Sequence, residues 1–253
     1  MNIHFVTYGS RNYSISSRRL CRQAKVCNWF KSITRMAPKN ISKSFFCRYQ
    51  AILNEPRGGG YWIWKPWIVN NALRNLRHGD FLLYMDAGCS INPSAQARFK
   101  EYLEIVASSS QGILSMQMEH PESAWTNTAT FRHFGVSQDC NIFTSGQLSA
   151  TFLLIRRCEA SQEIVHRWLS VLDVDPYLFT DRYSEIDPIS NFVEHRHDQS
   201  IFSIIRKQNN PTIVADDSWF DDFQSIEASL SPFWGTRLRD SRLMFKRYLT
   251  GHV

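Results

Sequence analysis

An apolar run that ends in an acidic residue constrains this chain more than any other part of its sequence. Residues 81–85 read FLLYM, and Asp86, Ala87 and Gly88 follow directly. A continuous apolar run between turn residues is typical of a strand buried on both faces, as in a parallel sheet. A carboxylate at the carboxyl end of such a strand lies where α/β proteins bind ligands. A plain turn is an equally good interpretation, because Asp and Gly are favoured in turns.

Strand and helix patterns alternate along the rest of the chain. The opening IHFVTYG is a short apolar strand, and further strands are predicted at 112–117, 149–156 and 212–215. Helical spacing covers 16–25, 45–53, 94–106, 161–172 and 198–207. Pro66 is predicted to be the first residue of another helix, where its missing N–H would be unpaired anyway. The alternation predicts α/β structure, with a mostly parallel central sheet flanked by helices, in one domain over residues 1–253.

Residues 119–145 are polar and irregular, with scattered aromatic residues. This composition predicts a long loop that covers a site. The net charge of +6 favours an anionic partner such as a nucleotide or an anionic lipid. The basic residues are dispersed and form no recognised nucleic-acid motif, so we expect no nucleic-acid partner.

Cysteine spacing and the absence of long apolar runs bear on the compartment. None of the six cysteines forms a CxxC pair, which predicts free thiols in a reducing cytosol. The chain shows neither a signal-peptide pattern nor a run long enough to span a bilayer. We therefore expect a cytoplasmic protein. A basic, amphipathic helical tail is predicted from about Trp234, and it could lie on the inner face of the cytoplasmic membrane or pack on the core.

Four blocks of sequence, in order, carry a family resemblance. They are IHFVTYG, GGGYWIWKPWIVNNAL, LLYMDAGCSIN, and the pair SGQLSATFLLIRR and HRHDQSIFSII. Together they resemble bacterial polysaccharide and lipopolysaccharide glycosyltransferases of the GT-A type and, more distantly, glycogenin-like and capsule-type sugar transferases. The resemblance implies a GT-A-like (Rossmann-like) fold and a hexosyltransferase-type enzyme. Such an enzyme moves a sugar from a nucleotide sugar, here a UDP-sugar, to a glycan hydroxyl in O-antigen or capsule synthesis. A non-catalytic carbohydrate- or nucleotide-binding protein is the alternative.

The resemblance also implies a donor site. In such families the segment that matches LYMDAG carries a DxD motif, whose acidic residues hold a divalent metal and the donor. Here Asp86 is present as a metal ligand for Mn²⁺ or Mg²⁺, but Gly88 takes the second acidic place, so metal dependence stays open. Basic residues, above all Lys65 at a helix start, could neutralise the diphosphate instead. The other residues implied in donor binding are Thr7, Tyr8, Gly9, Arg19, Gln147 and Thr151.

The acceptor side is implied by the segment HRHDQ. Asp198 would act as the general base if the enzyme inverts the anomeric centre. If the enzyme retains configuration, Asp198 and Gln199 would stabilise the cationic sugar. A helix N-cap without a catalytic part is the structural alternative for Asp198. The acceptor implied is a glycan or a lipid-linked glycan.

Overall fold

Strands and helices alternate along the chain. The computed structural model of the protein describes residues 1–185 and 187–240. The strands in this part are β1 (Ile3–Tyr8), β2 (Ser32–Met36), β3 (Phe81–Asp86), β4 (Ser90–Ile91), β5 (Leu114–Pro121), β6 (Gly146–Leu148), β7 (Phe152–Arg156), β8 (Thr212–Ala215) and β9 (Phe233–Trp234). The helices are α1 (Ser14–Cys27), α2 (Lys43–Leu53), α3 (Gly58–Tyr61), α4 (Trp64–Arg74), α5 (Gln96–Ser108), α6 (Glu122–Trp125), α7 (Thr128–His133), α8 (Asn141–Thr144), α9 (Glu159–Val174), α10 (His197–Lys207) and α11 (Ile226–Leu230).

A four-stranded sheet in the order β2-β1-β3-β7 forms the centre of the fold. β1 pairs in parallel with β2 and with β3, and β7 runs antiparallel to β3. The mostly parallel sheet predicted from the sequence is therefore confirmed. Because β1, β2 and β3 run the same way, they end together, with Tyr8 opposite both Met36 and Asp86. β7 begins at this edge, where Phe152 lies opposite Met85.

β3 is buried on both faces, as its continuous apolar sequence predicts. Successive side chains of a strand point to opposite faces, so its residues divide between two hydrophobic clusters. One cluster receives Leu82 and Tyr84, and the other receives Phe81, Leu83 and Met85. Each large apolar side chain buried in this way contributes about 1.5–3 kcal/mol. The strand that ends in Asp86 is thus firmly held.

Helices cover both faces of the sheet. The cluster on one face includes Ile68 of α4, Trp168 of α9 and Phe202 of α10. The rings of Trp168 and Phe202 stack with their centroids 4.1 Å apart. The cluster on the other face includes Leu20 of α1 and Phe99 of α5. These two layers hold the sheet edge and the first turns of α1, α4 and α10 in fixed positions.

Two smaller sheets extend the structure beyond the central one. β5 pairs in parallel with β8 and antiparallel with β6. β4 pairs antiparallel with β9, which places Ser90 opposite Trp234. This pairing brings residues near 235 back to the loop that follows Asp86.

The three glycines of α3 form a turn that leads into α4. Gly58, Gly59 and Gly60 have φ values of 58°, 60° and 96°, a region that favours glycine. A Cβ atom on Gly60 would lie 2.6 Å from the Cα atom of Leu53. The turn is therefore tightly packed against the end of α2, and it directs the first turn of α4 toward the sheet edge.

Three expectations need correction. The helix α4 begins at Trp64, so Pro66 is its third residue and not its first. Residues 119–145 are not an irregular loop, because β5 continues to Pro121 and α6, α7 and α8 follow. The side chain of Asn127, which accepts a hydrogen bond from the amide of Thr130, caps the start of α7. The predicted tail helix is absent from residues 235–240, and residues 241–253 lie outside the described part of the chain.

Two further observations concern the cysteines and the helices. All six cysteines are free thiols. Among residues 1–185 and 187–240, no helix combines the length and the apolarity that crossing a bilayer requires.

Candidate active site

The carboxyl edge of the central sheet gathers the residues that could carry chemistry. Asp86 ends β3 and lies beside Tyr8, the last residue of β1. The amide of Asp86 donates a hydrogen bond of 2.9 Å to the carbonyl of Thr151, just before β7. The position of the Asp86 backbone is therefore fixed from both neighbouring strands.

Lys65 connects Asp86 to a second carboxylate. Its ammonium Nζ lies 2.7 Å from Oδ2 of Asp198 and 3.2 Å from Oδ1 of Asp86. It also donates to the carbonyl of Ala150 at 3.3 Å. α4 supplies the lysine, β3 supplies Asp86 and the first turn of α10 supplies Asp198. Three separate elements of the fold thus converge on one ammonium group. We call the two carboxylates Asp86 and Asp198, together with the Lys65 that joins them, the lysine-bridged pair.

Burial and charge act against each other in the lysine-bridged pair. Burial alone lowers the pKa of Lys65, but the charges of Asp198 and Asp86 outweigh it and hold that pKa above its ordinary value. Burial raises the pKa of Asp198 to about 6, although Lys65 lowers it and Asp86 raises it further. Lys65 is therefore charged near neutral pH, while Asp198 changes its protonation state just below neutrality.

The two carboxylates differ in their access to solvent. The side chain of Asp86 is 30% exposed, whereas those of Asp198 and Lys65 are 5% and 3% exposed. Tyr84, which burial keeps protonated by raising its pKa, donates a hydrogen bond of 2.6 Å to Oδ1 of Asp86. Asp86 is the carboxylate that a ligand reaches first, and Asp198 lies behind it.

The start of α10 is an unusual piece of backbone. His197 has a φ of 52°, which is uncommon for a residue with a side chain. Its Nε2 lies 3.0 Å from Oδ1 of Asp181, and its ring packs against Tyr61 and Trp62. Burial lowers the pKa of His197 to about 4, despite the opposing effect of Asp181. This neutral, anchored histidine sets the position of Asp198.

Gln199 joins α10 to the strand ends. Its Oε1 accepts a hydrogen bond of 3.0 Å from the amide of Ala150, and its Nε2 donates to Oε1 of Gln147 at 2.6 Å. Gln147 is fully buried, and its own amide group donates to Glu122, Thr126 and Ser200. The side chain of Gln147 therefore belongs to a buried network rather than to a ligand-facing surface.

The predicted donor residues of β1 are occupied by packing contacts. The hydroxyl of Thr7 is buried and donates to the carbonyl of Met85 at 2.8 Å. The ring of Tyr8 is buried and stacks on Trp64 with centroids 4.0 Å apart. A Cβ atom on Gly9 would lie 2.3 Å from the hydroxyl of Ser17, so this glycine allows α1 to approach β1.

Arg19 lies beneath the loop that follows Asp86. Its guanidinium donates to Oγ of Ser90 at 2.9 Å and to the carbonyl of Cys89, and the side chain is buried. The structure thus places Arg19 as a support for the loop around Gly88. Thr151 remains at the site through its backbone contact with Asp86.

The residues around Asp86 do not fit a divalent cation. Mg²⁺ and related ions need several oxygen ligands. Within the described residues, no group of three acidic, histidine or cysteine side chains could hold a metal. Both carboxylate oxygens of Asp86 contact the ammonium of Lys65, at 3.2 and 3.4 Å, and a cation placed beside it would be repelled.

Gly88 has a structural reason to lack a side chain. Its carbonyl accepts hydrogen bonds from the amide of Leu238 at 2.9 Å and from the hydroxyl of Thr236 at 2.8 Å. A Cβ atom on Gly88 would lie 3.2 Å from the backbone of Leu238 and 3.3 Å from that of Arg237. A second acidic side chain at position 88 would therefore need the chain near residue 237 to move.

Four side chains near this edge were missed by reasoning from the sequence. Arg196 lies over the ring of Trp125, with its guanidinium carbon 3.8 Å from the centroid, and Arg237 lies over Trp219 at 4.9 Å. Trp219 is 52% exposed. Arg196 is part of the block HRHDQ, whereas nothing in the sequence pairs it with Arg237.

These features define a class of fold. The chain has the GT-A type of α/β fold, with an acidic residue at the end of the third strand and a second carboxylate on a late helix. No family model and no curated protein sequence matches the chain.

Solved structures with this fold resemble the chain at low sequence identity. One is a glycosyltransferase involved in glycosylation of the major capsid of PBCV-1, with a TM-score of 0.54, 9% identity, and coverage of 99% of this chain and 100% of that one. Mouse xyloside xylosyltransferase 1 has a TM-score of 0.48 and 9% identity, with coverage of 92% of this chain and 97% of that one. The galactosyltransferase LgtC has a TM-score of 0.44 and 11% identity, with coverage of 86% of this chain and 75% of that one. The likeness to the first of these supports the fold over the whole chain.

Proposed function

We propose that this protein is a glycosyltransferase that moves a sugar from a nucleotide-sugar donor to a hydroxyl group of an acceptor. The observation that carries the proposal is the lysine-bridged pair at the carboxyl edge of a GT-A sheet. Its two carboxylates come from separate elements and differ in exposure. Buried groups with shifted pKa values at a sheet edge are typical of functional sites.

The donor in this proposal is a UDP-sugar, and the acceptor is a glycan or a lipid-linked glycan. We further propose a role in bacterial surface polysaccharide synthesis, in the cytoplasm at the inner face of the membrane. The family resemblance of the sequence blocks supports the donor and the pathway. The net charge of +6 supports an anionic donor and an anionic surface.

The reaction transfers one glycosyl group. The bond between the anomeric carbon and the diphosphate oxygen breaks, and its electron pair leaves with the nucleoside diphosphate. The acceptor oxygen bonds to the anomeric carbon, and its hydroxyl proton passes to a carboxylate in an inverting reaction or to the departing diphosphate oxygen in a retaining one. In an inverting reaction Asp198 receives that proton, which suits a group with a pKa of about 6. In a retaining reaction Asp198 and Gln199 stabilise the positive charge on the sugar.

Asp86 and Lys65 have different parts in this scheme. Asp86, the exposed carboxylate, contacts the donor sugar and fixes its orientation. Lys65 holds both carboxylates in place through its buried ammonium. Its positive charge is more than matched by the two carboxylates, so the negative charge on the leaving diphosphate needs a further cation.

The experiment is a test of donor breakdown. Purified protein is incubated with a panel of sugar nucleotides, and release of the nucleoside diphosphate is measured with and without glycan acceptors. We expect release from at least one UDP-sugar, and a fall of roughly 10²-fold in Asp86→Asn, because the donor loses the carboxylate that orients it. Asp173→Asn is the matched control, because Asp173 is a surface carboxylate that pairs with Arg48.

The outcomes separate the proposal from its alternative. Binding of a nucleotide or glycan without turnover would identify a non-catalytic binding protein. The absence of both binding and breakdown for every sugar nucleotide would contradict the proposal. Full activity in Asp86→Asn would remove this carboxylate from the mechanism.

A further inference from the structure

Two arginines belong to elements that border the candidate site: Arg196 to the start of α10, and Arg237 to the part of the chain that contacts Gly88. Arg196 precedes Asp198 by two positions. Its amide donates hydrogen bonds to the carbonyl of Trp125 at 3.1 Å and to the hydroxyl of Ser200 at 3.0 Å. Its guanidinium covers the ring of the same tryptophan at 3.8 Å. Both ends of Arg196 are therefore positioned by Trp125.

Arg237 belongs to residues 235–240, which we call the C-terminal segment. The residues on either side of Arg237 bind the carbonyl of Gly88, through the hydroxyl of Thr236 and the amide of Leu238. Arg237 itself has a φ of 49°, a left-handed conformation that is strained for a residue of this size. Its backbone is therefore pinned against the loop after Asp86, while its side chain is exposed.

Asp240, at the far end of the C-terminal segment, is also held by hydrogen bonds. The carboxylate of Asp240 accepts hydrogen bonds of 2.8 Å from the amides of Ile15 and Ser16, at the start of α1. The same carboxylate accepts a bond from the hydroxyl of Ser16. Both ends of the segment are thus tied to elements that lead away from the sheet edge, which fixes the place of Arg237 between them.

Neither guanidinium group forms an ion pair in the described part of the chain. Within the described residues, no carboxylate lies within 4.0 Å of the side-chain nitrogens of Arg196 or Arg237. Burial lowers the pKa of Arg196 and the charge of Arg237 lowers it further, while the charge of Glu194 opposes them. Two like charges held close together repel one another, and an anion placed between them would relieve this repulsion.

We propose that Arg196 and Arg237 bind the diphosphate of the donor directly, in place of a divalent metal ion. The inference rests on the proposed function, and it specifies how that site neutralises its leaving group. Each guanidinium lies over an indole ring, with its central carbon 3.8 Å (Arg196) or 4.9 Å (Arg237) from the ring centroid. A guanidinium that stacks on a ring keeps its N–H edge for phosphate oxygens. Paired N–H donors match phosphate geometry, and they supply positive charge where charge develops on the leaving oxygen.

The close contact at Gly88 and the position of Arg237 have the same structural cause. The Cβ atom of an acidic residue at position 88 would lie 3.2 Å from the C-terminal segment, which carries Arg237 and would have to shift to make room. The loss of a metal ligand and the gain of a cation therefore occur at one point of the structure. The Asp86 carboxylate, which contacts Lys65, is left free of a metal-binding role.

The test measures binding of UDP and GDP by calorimetry, in EDTA and in Mn²⁺, on the whole protein. We expect affinity for one of them to be the same within about twofold in both buffers. Arg196→Gln and Arg237→Gln should each weaken it by about tenfold or more, as expected for a lost charge-assisted contact. Affinity for the matching nucleoside, measured by NMR, should stay unchanged, which separates a diphosphate contact from a loss of folding.

Arg239→Gln is the matched control, because Arg239 lies on the same segment and donates to the hydroxyl of Tyr13 at 3.1 Å. It should bind the same nucleotide as tightly as the unmodified protein does. Nucleotide binding that requires Mn²⁺, or arginine variants with unchanged affinity, would overturn the inference and leave the proposed function intact. Failure to bind either nucleotide in both buffers would overturn the proposed function together with this inference.

Discussion

Two buried lysines of this protein, Lys65 and Lys207, hold carboxylates in different ways. Lys65 bridges Asp86 and Asp198 at a sheet edge, where Asp86 remains 30% exposed. Lys207 lies 3.2 Å from Glu122, whose side chain is fully buried, and it also donates to Ser145. The second lysine therefore closes a network that solvent does not reach.

The carboxylate of Glu122 is hydrogen-bonded by several side chains. Its carboxylate accepts hydrogen bonds from Thr126, Gln147 and Ser203. The lysine-bridged pair instead keeps an exposed oxygen and a carboxyl whose pKa burial raises to about 6. A buried charge pair is thus a poor sign of a site by itself. The position at the sheet edge and the incomplete pairing are what distinguish the candidate site.

Exchanging each lysine for methionine is the strongest way to test this contrast. Lys65→Met should reduce sugar transfer by about 10³-fold, because it releases both carboxylates from their positions. Lys207→Met should leave the rate per folded molecule unchanged, but lower the free energy of unfolding by about 3 kcal/mol, since it leaves Glu122 buried without its cation. Initial rates and urea unfolding measure the two effects. Equal losses of rate in both variants would end the distinction.

Amide substitutions of Glu122 and Asp198 compare how much each buried carboxylate contributes to stability. Glu122→Gln should lower the free energy of unfolding by about 2–3 kcal/mol at pH 8, because Lys207 loses its counter-charge and Ser203 loses a charged acceptor. Asp198→Asn should cost less, because burial already disfavours the charged form of Asp198. Urea unfolding of both variants at pH 8 gives the order. A greater loss in Asp198→Asn would show that the lysine-bridged pair is the more important of the two for stability.

The pH dependence of the rate tests the proposed role of Asp198 as the general base. If the enzyme inverts, the working form of Asp198 is the deprotonated one, so activity should fall as the pH drops below about 6 and should be about tenfold lower at pH 5. The pKa is that of the protein without substrate, so the limb should appear between pH 5 and 7 in kcat/KM. In Asp198→Asn the remaining activity should lack this limb. An unchanged limb in that variant would assign the titration to another group.

Gly88→Ala should have the smallest effect. The added Cβ atom would press on the backbone of Leu238 at 3.2 Å, so the C-terminal segment must shift by a few tenths of an ångström. We expect a change in unfolding free energy below about 1 kcal/mol and a few-fold loss of nucleotide affinity. Hydrogen exchange at the amide of Leu238 should become faster while exchange in β3 stays the same. Uniform acceleration across the sheet would mean that the residue supports the core instead.

Much of the fold could be predicted because local patterns decide it. The continuous apolar run before Asp86 identifies β3, and the helical spacing of residues 198–207 matches α10 within one residue. The start of α4 was misplaced because the tight glycine turn positions Trp64, and not Pro66, at the beginning of the helix. The short helices in residues 119–145 were missed because each is only one or two turns long, too short for an apolar period to show.

The candidate site was only partly predictable, since its residues meet through the tertiary fold. Asp86, Lys65 and Asp198 each stood out by residue type and position, but their shared ion pairs depend on how α4 and α10 pack on the sheet. The family resemblance implied Gln147 in donor binding, yet its amide donates a hydrogen bond to the buried Glu122. The sequence predicted Arg237 in a tail helix, and only the pairing of β4 with β9 brings it to Gly88.

The attachment of Asp240 to Ser16 has a consequence for how the site is assembled. The bond joins residues 224 positions apart in the sequence, so it closes a very long loop. Contacts of such separation are slow to form, whereas the neighbouring strands of the sheet pair through shorter loops. The C-terminal segment should therefore dock after the sheet has folded, and it should detach before the sheet unfolds. A chain that has folded its core but not docked this segment would hold the lysine-bridged pair without Arg237 beside it.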